Sequence, residues 1–592
     1  MLRLTIAQFR PVKAEYQSNL RRVGELFERL AAAPDPPDLL VLPETALTGY
    51  FLEGGVMEEA VAADRLFADL ADAHRAAGAA PLDVIIGFYE VWQNRVHNSV
   101  LAASLGGPDA GIRHVHRKVF LPTYGVFDEE RFVEPGLTVE AFDLRAGRAA
   151  AIVCEDAWHS LLPTIAALDG AQVLVVVSAS PARGLQPDSA VDGRPASVRR
   201  WERTVQAVAA EHGMFVVLAQ LAGFEGGKAL QGASCVVGPR GEVLARAPLF
   251  DEAVLTLELD LEEITRARAE SPLLSDLELR LPHLIDSLAE RRGRGAGRPI
   301  WEPGRPARPR TARAPQPAGG ADPLRIDPEL TRRWLVEFLR DEVRRRRGFE
   351  RVVVGLSGGV DSAVVAWLAA EAFGPGQVTA IRMPYRTSSP ESLSHAELVI
   401  EATGVREETV DITAGVDGLA GALPERPDAP RLGNVMARMR MITLFDRSAA
   451  LRALPLGTGN KSERLFGYFT WHADDSPPVN PIGDLFKTQV WQLARHLGVP
   501  AVIVDKPASA DLVSGQTDEA DFGISYHRAD PILHWLLSGY GPPDIEALGY
   551  SAAEIALVQH RLETTHWKRR LPTVAMLSQT AIGEYYLRPV DY

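Results

Sequence analysis

The chain has 592 residues, of which 46% are hydrophobic and 24% are charged, and its formal net charge at pH 7 is -14. This length predicts two or more domains, each large enough to bury its own core. The acidic balance argues against nucleic-acid binding as a general activity. No run approaches the ~20 apolar residues that span a bilayer, and the N-terminus lacks signal-peptide anatomy, so we expect a cytoplasmic protein without a membrane partner. The two cysteines cannot build a disulfide framework, so each is a reactive thiol or a core residue.

In the first part of the chain, short apolar runs alternate with amphipathic helical stretches. The predicted strands cover residues 4–8, 39–42, 84–88, 150–154, 173–177 and 215–219. This alternation is typical of an α/β sandwich. We therefore predict a first domain over residues 1–265.

Three segments of this domain end a predicted strand with a chemically capable side chain. They are Leu-Pro-Glu ending at Glu44, His-Arg-Lys ending at Lys118, and Cys-Glu-Asp-Ala-Trp beginning at Cys154. A thiol needs a base to become a thiolate, and an amide carbonyl under attack needs a cation beside its developing oxyanion. Glu44 as base, Cys154 as nucleophile and Lys118 as oxyanion stabiliser fill these roles. We interpret the second cysteine, Cys235, as a small core residue.

Taken in this order, the three segments resemble the nitrilase superfamily over the whole predicted domain. The resemblance implies an α-β-β-α sandwich. It also implies a covalent acyl-thioester on Cys154, which is hydrolysed by water that Glu44 activates. Alone, such a domain would hydrolyse an amide or a nitrile.

Between residues 291 and 324 the pattern gives way to a segment rich in arginine, proline and glycine. Such a composition cannot form a core, so we predict an exposed linker, stiffened by prolines, within a connecting segment at residues 266–325. A nucleic-acid-binding tail is the less consistent alternative in an acidic chain. Helical periodicity resumes at residues 327–347, and we predict the second domain over residues 326–592.

The second domain opens with an apolar run that stops in a glycine-rich turn, Val-Val-Val-Gly-Leu-Ser-Gly-Gly-Val-Asp-Ser, at residues 352–362. We predict a buried parallel strand over residues 352–356 and a helix packed behind it over residues 363–370. Backbone N–H groups and the positive end of the helix would then converge on one spot, where they stabilise an anion.

The turn consists of Ser357, Gly358, Gly359, Val360, Asp361 and Ser362. Its glycines let the backbone approach a phosphate closely, its serines offer hydroxyls and its aspartate offers a carboxylate to Mg²⁺. The turn resembles the loop of the ATP pyrophosphatase family, whose members split ATP into AMP and pyrophosphate to activate a carboxylate or a related oxygen. It lacks the lysine that follows the glycines in kinases and GTPases.

A series of downstream segments resembles the NAD synthetase family in its order along the second domain. The segments cover residues 383–392, 433–441, 456–463, 467–470, 481–490 and 506–512, followed by Asp518 and Glu519. The resemblance implies a doubly wound parallel sheet of the adenine nucleotide hydrolase type. It also implies ATP as a substrate, with Mg²⁺, and nicotinate adenine dinucleotide as the acceptor.

The resemblance extends to individual residues of this series. Beyond the loop, the candidates for ATP binding are Met383, Thr458 and Lys487, and the candidates for acceptor binding are Asn434, Arg438, Arg440, Lys568 and Arg569. Because Arg438 and Arg440 diverge on a helix, we expect one to reach a phosphate and the other to form a salt bridge. We expect Asp361 and Glu463 to bind Mg²⁺, which takes one or two protein carboxylates beside phosphate oxygens and water.

One segment departs from the family pattern. Members commonly continue after Phe-Thr with a lysine, an aromatic residue, glycine and aspartate, whereas this chain has Trp471 and His472 followed by Ala-Asp-Asp. A lysine that touches the acceptor or the leaving pyrophosphate is therefore missing. We expect the acceptor pocket to be altered.

Together the two halves predict a ligase that takes ammonia from glutamine and transfers it to a carboxylate activated by ATP. At neutral pH free ammonia is mostly protonated, so release inside the protein avoids that loss. The expected glutamine-binding residues are Tyr50 and Tyr124 as walls, Glu129 as a carboxylate beside Lys118, and Ser180 or Arg183 at the α-amino acid end. The resemblance also implies a homo-oligomer.

Two alternatives remain at this point. The same machinery could serve another carboxylate, such as nicotinate mononucleotide. Less consistent with the motifs is a nitrilase-type amidase whose second domain only senses a nucleotide.

Overall fold

A computed structural model describes residues 1–52, 55–185, 193–295, 322–508 and 517–570. These residues form two compact units. The first unit extends to Gly184 and resumes at Arg194, and the second contains Leu185 and Gly193 together with the described residues from 322 onward. Most of the predicted linker, residues 296–321, lies outside the described residues.

The strands of the first unit are β1 (Leu2–Gln8), β2 (Leu39–Val41), β3 (Leu82–Trp92), β4 (Arg95–Leu105), β5 (Gly111–Arg117), β6 (Ala141–Leu144), β7 (Gly147–Val153), β8 (Val173–Ser178), β9 (Phe215–Gln220), β10 (Ala222–Glu225), β11 (Lys228–Gln231), β12 (Cys235–Val237), β13 (Val243–Arg246) and β14 (Ala253–Leu259). They form a six-stranded sheet in the order β14-β1-β2-β3-β4-β5 and another in the order β13-β12-β9-β8-β7-β6. Strands β10 and β11 make a separate hairpin.

The helices of this unit are α1 (Tyr16–Ala31), α2 (Val56–Glu59), α3 (Ala63–Ala76), α4 (Leu161–Leu168), α5 (Ala196–His212), α6 (Glu262–Glu270) and α7 (Leu273–Gly295). Successive strand residues point to opposite faces of a sheet. Leu39 and Val41 therefore pack against the second sheet, whereas Leu40 and Leu42 pack with α1 and α3. Helices α4 and α5 pack on the second sheet. The predicted α-β-β-α sandwich is confirmed.

The second unit is built on four parallel strands, β15 (Val352–Gly355), β16 (Val378–Arg382), β17 (Arg406–Thr409) and β18 (Leu454–Leu456). Their order in the sheet is β17-β16-β15-β18, so the chain moves first to one side of β15 and then to the other. In such a sheet, ligands bind beyond the carboxyl ends of the strands where the direction of winding reverses. The crevice beyond β15 and β18 is thus the expected ligand position.

The helices of the second unit are α8 (Pro328–Leu339), α9 (Val360–Phe373), α10 (Pro390–Thr403), α11 (Thr413–Ala422), α12 (Ala429–Leu451), α13 (Lys461–Phe466), α14 (Lys487–Leu497), α15 (Ala501–Val504), α16 (Asp518–Phe522), α17 (Tyr526–Leu537), α18 (Pro542–Glu546) and α19 (Ala552–Thr564). Val352 and Val354 pack with α8, α9 and α14, whereas Val353 packs with Leu444 of α12 on the other face. Helices thus cover both faces, and the predicted doubly wound sheet is confirmed. Within the described ranges, no helix has both the length and the apolar character that a bilayer crossing requires.

Candidate active sites

The nucleophile position of the first unit lies immediately after β7. Cys154 begins a short 3₁₀ turn, Cys154–Trp158, and its φ of 44° is in the left-handed region, which costs a residue with a side chain about 1–3 kcal/mol. The turn lifts the thiol away from the strand direction. Ser178 donates a hydrogen bond to the Cys154 sulfur at 3.3 Å, and the Ser180 hydroxyl lies 3.8 Å from it.

Glu44 is fully buried, and both of its carboxylate oxygens are hydrogen-bonded. One oxygen accepts from Lys118 Nζ at 3.0 Å and from Asn98 Nδ2 at 2.8 Å, and the other accepts from the backbone N–H of Ala179 at 2.7 Å. The next residue, Thr45, also has a positive φ of 47°. A sharp turn after β2 therefore aims the carboxylate into the site.

Lys118 lies between two carboxylates. Its ammonium donates to Glu129 Oε1 at 2.8 Å as well as to Glu44, and Tyr50 donates its hydroxyl to the same Glu129 oxygen at 2.6 Å. Burial alone would lower the pKa of Lys118, but the charges of Glu129 and Glu44 outweigh it and hold this pKa well above its usual range. Burial, with the charge of Glu44, raises the pKa of Glu129. The lysine is a permanent cation in this site.

The Cys154 thiol is protonated at rest. Burial, together with the negative charge of Glu44, raises its pKa to about 12, against the opposing effects of Lys118 and the Ser178 hydrogen bond. A thiol with such a pKa is a poor nucleophile at neutral pH. It needs a base at the moment of attack, and Glu44 is the carboxylate whose charge acts on it most strongly.

Two of the predicted glutamine-binding residues lie further out. The exposed Tyr124 donates its hydroxyl to Glu155 Oε2 at 2.8 Å. Tyr124 and Glu155 line a cavity of about 560 Å³, together with Phe120, Glu130, Glu134 and His159. Arg183 is exposed and does not line this cavity, and its backbone N–H donates to Ser197 Oγ at 2.9 Å.

Sequence reasoning missed Asn98 and assigned no role to Glu155. Asn98 donates to both carboxylates of the site, at 2.8 Å to Glu44 and at 3.1 Å to Glu129. The available signal was an asparagine within the predominantly buried strand β4, since a buried amide requires partners. Glu155 follows the nucleophile directly and places a carboxylate on the cavity wall.

In the second unit, the loop between β15 and α9 is held by its own hydroxyls. Ser357 and Ser362 place their hydroxyl oxygens 3.1 Å apart, and Ser362 donates to the Gly359 carbonyl at 3.0 Å. Gly358 has a φ of 78°, and a Cβ on it would lie 2.1 Å from the carbonyl oxygen of Ser392. This position admits glycine alone, because the Ser392 carbonyl occupies the space that a side chain would need.

The carboxylates predicted for Mg²⁺ lie beside one lysine. Helix α9 begins at Val360, and the following Asp361 pairs with Lys487 Nζ and accepts from Asn460 Nδ2 at 3.0 Å. The ammonium of Lys487 is also 3.5 Å from Glu463 Oε1. Burial and the charge of Asp361 raise the pKa of Glu463 to about 8. The two carboxylates repel each other, and the buried ammonium of Lys487 beside both offsets part of that repulsion.

A cavity of about 840 Å³ opens at this crevice. It is lined by the loop residues Ser357, Gly359, Val360, Asp361 and Ser362 and by the predicted residues Met383, Arg440, Thr458, Glu463 and Lys487. Most of these residues follow β15, β16 and β18 or start the helices behind them. The cavity thus lies where the strand order reverses, as expected for a nucleotide site.

Four predicted acceptor residues do not line this cavity. Asn434 and Arg438 are exposed, and Arg438 donates to the carbonyl oxygens of Asn434 and Trp471 at 3.4 and 3.1 Å. Among the described residues Arg438 forms no ion pair, so the expected salt bridge is absent there. Lys568 donates to the carbonyl oxygen of Gly467 at 2.7 Å, and Arg569 donates to that of Leu465 at 3.0 Å.

The divergent pair Trp471 and His472 also lies outside this cavity, although the residues that follow it, 473–475, line the wall. The ring of Trp471 lies 4.1 Å from that of His472 and meets Trp567 edge-on at 5.3 Å. Trp471 is thus part of an aromatic group beside Arg438. The two altered residues change the surroundings of the nucleotide site rather than its wall.

Three further residues that sequence reasoning left unassigned line the cavity, namely Arg464, Lys506 and Asp518. Lys506 donates to Ser392 Oγ at 3.2 Å, next to the carbonyl that restricts Gly358. It begins the Lys-Pro-Ala-Ser segment at residues 506–509. The sequence therefore showed its charge but not its position at the cavity. Arg464 stands beside Glu463 on α13.

Replacing Gly87 with alanine should disable the first site. A Cβ at Gly87 would lie 2.5 Å from Glu44 Cα and 2.8 Å from the Pro43 carbonyl oxygen, so β2 must move and carry the carboxylate with it. A displacement of about 1 Å can lower a catalytic rate ~100-fold. Glutamine hydrolysis by Gly87→Ala should fall by that order. The control is Gly111→Ala, in which the added Cβ meets nothing within 4 Å. The rate of this variant should match that of the unaltered protein. Equal rates in Gly87→Ala and Gly111→Ala would show that the position of Glu44 does not control hydrolysis.

Replacing Gly358 with alanine should disable the second site. The substitution combines a positive φ with a backbone clash at 2.1 Å. Strain of this kind costs about 1–3 kcal/mol, which corresponds to a loss of about 10-fold or more in ATP affinity. Calorimetric titration with ATP measures the Kd of this variant. The control is Gly376→Ala, in which the added Cβ meets nothing within 4 Å. An unchanged Kd for Gly358→Ala would show that the loop does not hold the nucleotide.

Comparison with known families agrees with this division into two units. The model of the carbon-nitrogen hydrolase family matches residues 3–269, and that of the NAD synthase family matches residues 331–572. The NH₃-dependent NAD⁺ synthetase of Trichlorobacter lovleyi is 46% identical over 270 residues, which cover 45% of this chain and 98% of the relative. The enzyme of the same name from Chlorobaculum parvum is 48% identical over 263 residues, which cover 44% and 94%.

Among solved structures, the glutamine-dependent NAD⁺ synthetase from Acinetobacter baumannii in complex with ADP aligns with a TM-score of 0.69 and 22% identity, covering 99% of this chain and 98% of that one. At this identity the likeness concerns the fold. The family assignment therefore rests on the sequence relatives and on the NAD synthase model, which matches the second unit. The chain belongs to the NAD synthase family, with a carbon-nitrogen hydrolase domain preceding the synthase domain.

Proposed function

We propose that the chain is a glutamine-dependent NAD synthetase, a ligase that hydrolyses glutamine and amidates nicotinate adenine dinucleotide with the released ammonia. The observation that carries the proposal is the presence, in one chain, of the buried Cys154, Glu44 and Lys118 group and of a phosphate-type loop in an NAD synthase domain. Family membership supports ATP as the nucleotide. The carbon-nitrogen hydrolase domain that precedes the synthase domain supports glutamine as the source of ammonia.

In the first unit, Glu44 takes the proton of Cys154 as its sulfur attacks the side-chain carbonyl of glutamine. Lys118 remains charged because the two neighbouring carboxylates hold its pKa high, and it stabilises the oxyanion that develops. The carbon–nitrogen bond breaks as Glu44 returns the proton to nitrogen, and ammonia leaves. Glu44 then takes a proton from water, which cleaves the thioester to glutamate and restores the thiol.

In the second unit, the residue 357–362 loop binds the phosphates of ATP. A carboxylate oxygen of the acceptor attacks the α-phosphorus, and pyrophosphate leaves. Ammonia then adds to the acyl-adenylate carbonyl and AMP departs, which leaves the amide of NAD. Activation is required because a carboxylate is a poor electrophile, and the crevice has to exclude water, which would hydrolyse the adenylate.

The donor set of the second site fits Mg²⁺. Asp361 and Glu463 are hard oxygen ligands beside the phosphate loop, and both contact the same ammonium, that of Lys487. These two carboxylates, with phosphate and water oxygens, form the proposed ligand set. When bound, the ion neutralises charge on the phosphates.

The divergent segment concerns the choice of acceptor. Trp471, which packs on Trp567, stands where family members commonly carry a lysine that touches the acceptor or the leaving pyrophosphate. Nicotinate mononucleotide, which offers the same carboxylate, is the alternative acceptor. An assay with glutamine, ATP and Mg²⁺, run in parallel with each acceptor and followed for AMP, pyrophosphate and the amide product, decides between them. Formation of ADP instead of AMP would rule out both.

Cys154→Ala should abolish glutamine-driven synthesis and leave synthesis from an ammonium salt largely intact. The reason is that the thiol acts only in the release of ammonia. The matched control is Cys235→Ala, since Cys235 is also buried and its pKa is also raised to about 12 by burial, but it lies in β12. Loss of both activities in Cys154→Ala alone would contradict the separation of the two reactions.

We also propose a homo-oligomer that works in the cytoplasm. The support for the oligomer is an apolar surface in the first unit, where Leu284, Ile285 and Leu288 of α7 are 47%, 54% and 58% exposed and Leu161 of α4 is 66% exposed. Leu284 and Leu288 lie one turn apart and so share a face of α7, and apolar side chains exposed together in this way favour an interface.

The double variant Leu284→Glu with Leu288→Glu should lower the mass measured by analytical ultracentrifugation to that of a single chain. Two carboxylates would have to be buried without partners in the interface, which is strongly unfavourable. The control is Ser275→Glu with His283→Glu on the opposite side of α7, which adds the same two glutamates. An equal mass for both variants would exclude this surface from the interface.

A further inference from the structure

The carboxylate of Asp156 lies two residues after the nucleophile and is fully buried. It accepts four hydrogen bonds, from the backbone N–H groups of Val119 at 3.0 Å, Phe120 at 2.9 Å and Val153 at 3.2 Å, and from His116 Nε2 at 2.9 Å. No other part of the mechanism uses this side chain. Its only visible task is to connect other groups.

The four donors come from two separate segments. Val153 directly precedes Cys154, whereas Val119 and Phe120 directly follow Lys118. His116 is the last but one residue of β5 and stands two residues before the lysine. One carboxylate thus joins the turn that carries the nucleophile to the loop that carries the cation.

This connection is costly to remove. A buried carboxylate that accepts several N–H bonds is held by charge-assisted hydrogen bonds, which are about twice as strong as neutral ones. Without it, three backbone donors inside the protein would lack partners, which the fold can avoid only by shifting one segment. The segments concerned begin or end at the two reacting groups.

His116 fixes the carboxylate from the opposite side. Its side chain is fully buried, and its Nδ1 atom has no hydrogen-bond partner in the described part of the chain. Its Nε2 atom is the one that contacts Asp156, at 2.9 Å. The ring therefore has one polar function, which is to orient Asp156.

We propose that Asp156 and His116 are positioning residues that set the distance and direction of Lys118 relative to Cys154. The inference rests on the proposed amide hydrolysis by Cys154. It predicts that the pair governs the rate of the chemical step more than the binding of glutamine, because neither side chain lies on the cavity wall beside Tyr124.

The variant Asp156→Asn provides the test. An asparagine keeps one oxygen for the N–H groups of Val119 and Phe120 but turns an NH₂ group toward the N–H of Val153, so the link to the nucleophile is lost. The expected result is a fall of about 100-fold in kcat for glutamine hydrolysis, the size of a displacement of about 1 Å, with KM changed less than about 3-fold. Alkylation of Cys154 by iodoacetamide should slow as well, and synthesis from ammonium should be unchanged.

The matched control is Asp83→Asn. Asp83 is also a buried carboxylate, and it accepts from Ser104 Oγ and from the backbone N–H of Arg145 at 2.7 Å. It pairs with Leu39 at the start of β2, whereas Glu44 follows the end of that strand. Asp83→Asn should lose about as much thermal stability as Asp156→Asn but keep its kcat and its alkylation rate. That contrast separates a structural effect from a positioning effect.

His116→Ala serves where Asp156→Asn does not fold, because it removes one of the four hydrogen bonds and leaves the carboxylate in place. It should lower kcat by a smaller factor with KM unchanged, and His116→Gln, which retains a donor, should recover part of the rate. If Asp156→Asn and His116→Ala behave like Asp83→Asn, the positioning inference is wrong. If the unaltered protein itself fails to hydrolyse glutamine, the proposed function fails instead.

Discussion

A buried ammonium held between two carboxylates is the interaction on which the first unit depends. Lys118 is fully buried, and a lone charge at that depth would cost several kcal/mol. Glu44 and Glu129 make this burial tolerable, because each contacts the ammonium at 3.0 Å or less. The surrounding donors, Asn98, Tyr50 and the backbone of Ala179, are what a buried group of this kind requires. Polar residues inside an otherwise apolar sandwich are thereby explained.

The second unit uses a similar arrangement for a different purpose. Lys487 is buried beside Asp361 and Glu463, and the charges of these carboxylates raise its pKa despite burial. In the first unit the lysine is fully buried between its two carboxylates, whereas here the group faces a cavity of about 840 Å³. The same three charges can therefore respond to a ligand in the second unit, while in the first they form a fixed electrostatic field.

Much of this architecture could be predicted from the sequence, because strands that end in a reactive residue are local features. The runs before Cys154 and Ser357 and the turn at Gly358 needed no knowledge of distant parts of the chain. The positions of Arg438, Lys568 and Arg569 could not be read in that way. Whether the charged end of such a side chain reaches a cavity or a nearby carbonyl depends on how α12 and the segment after α19 pack. A sequence shows the charge without its direction.

Asn98 and Asp156 illustrate a second limit. Each acts by hydrogen bonds to residues that are distant in sequence, so its partners become visible only when the strands are aligned. Cys154 differs from these two residues, because its backbone conformation is a local feature that lowers the stability of the whole domain. Its φ of 44° suits glycine best, so a side chain there carries backbone strain of about 1–3 kcal/mol. The first unit therefore gives up part of its stability to keep a reactive atom in place, a conflict between durability and activity concentrated at one residue.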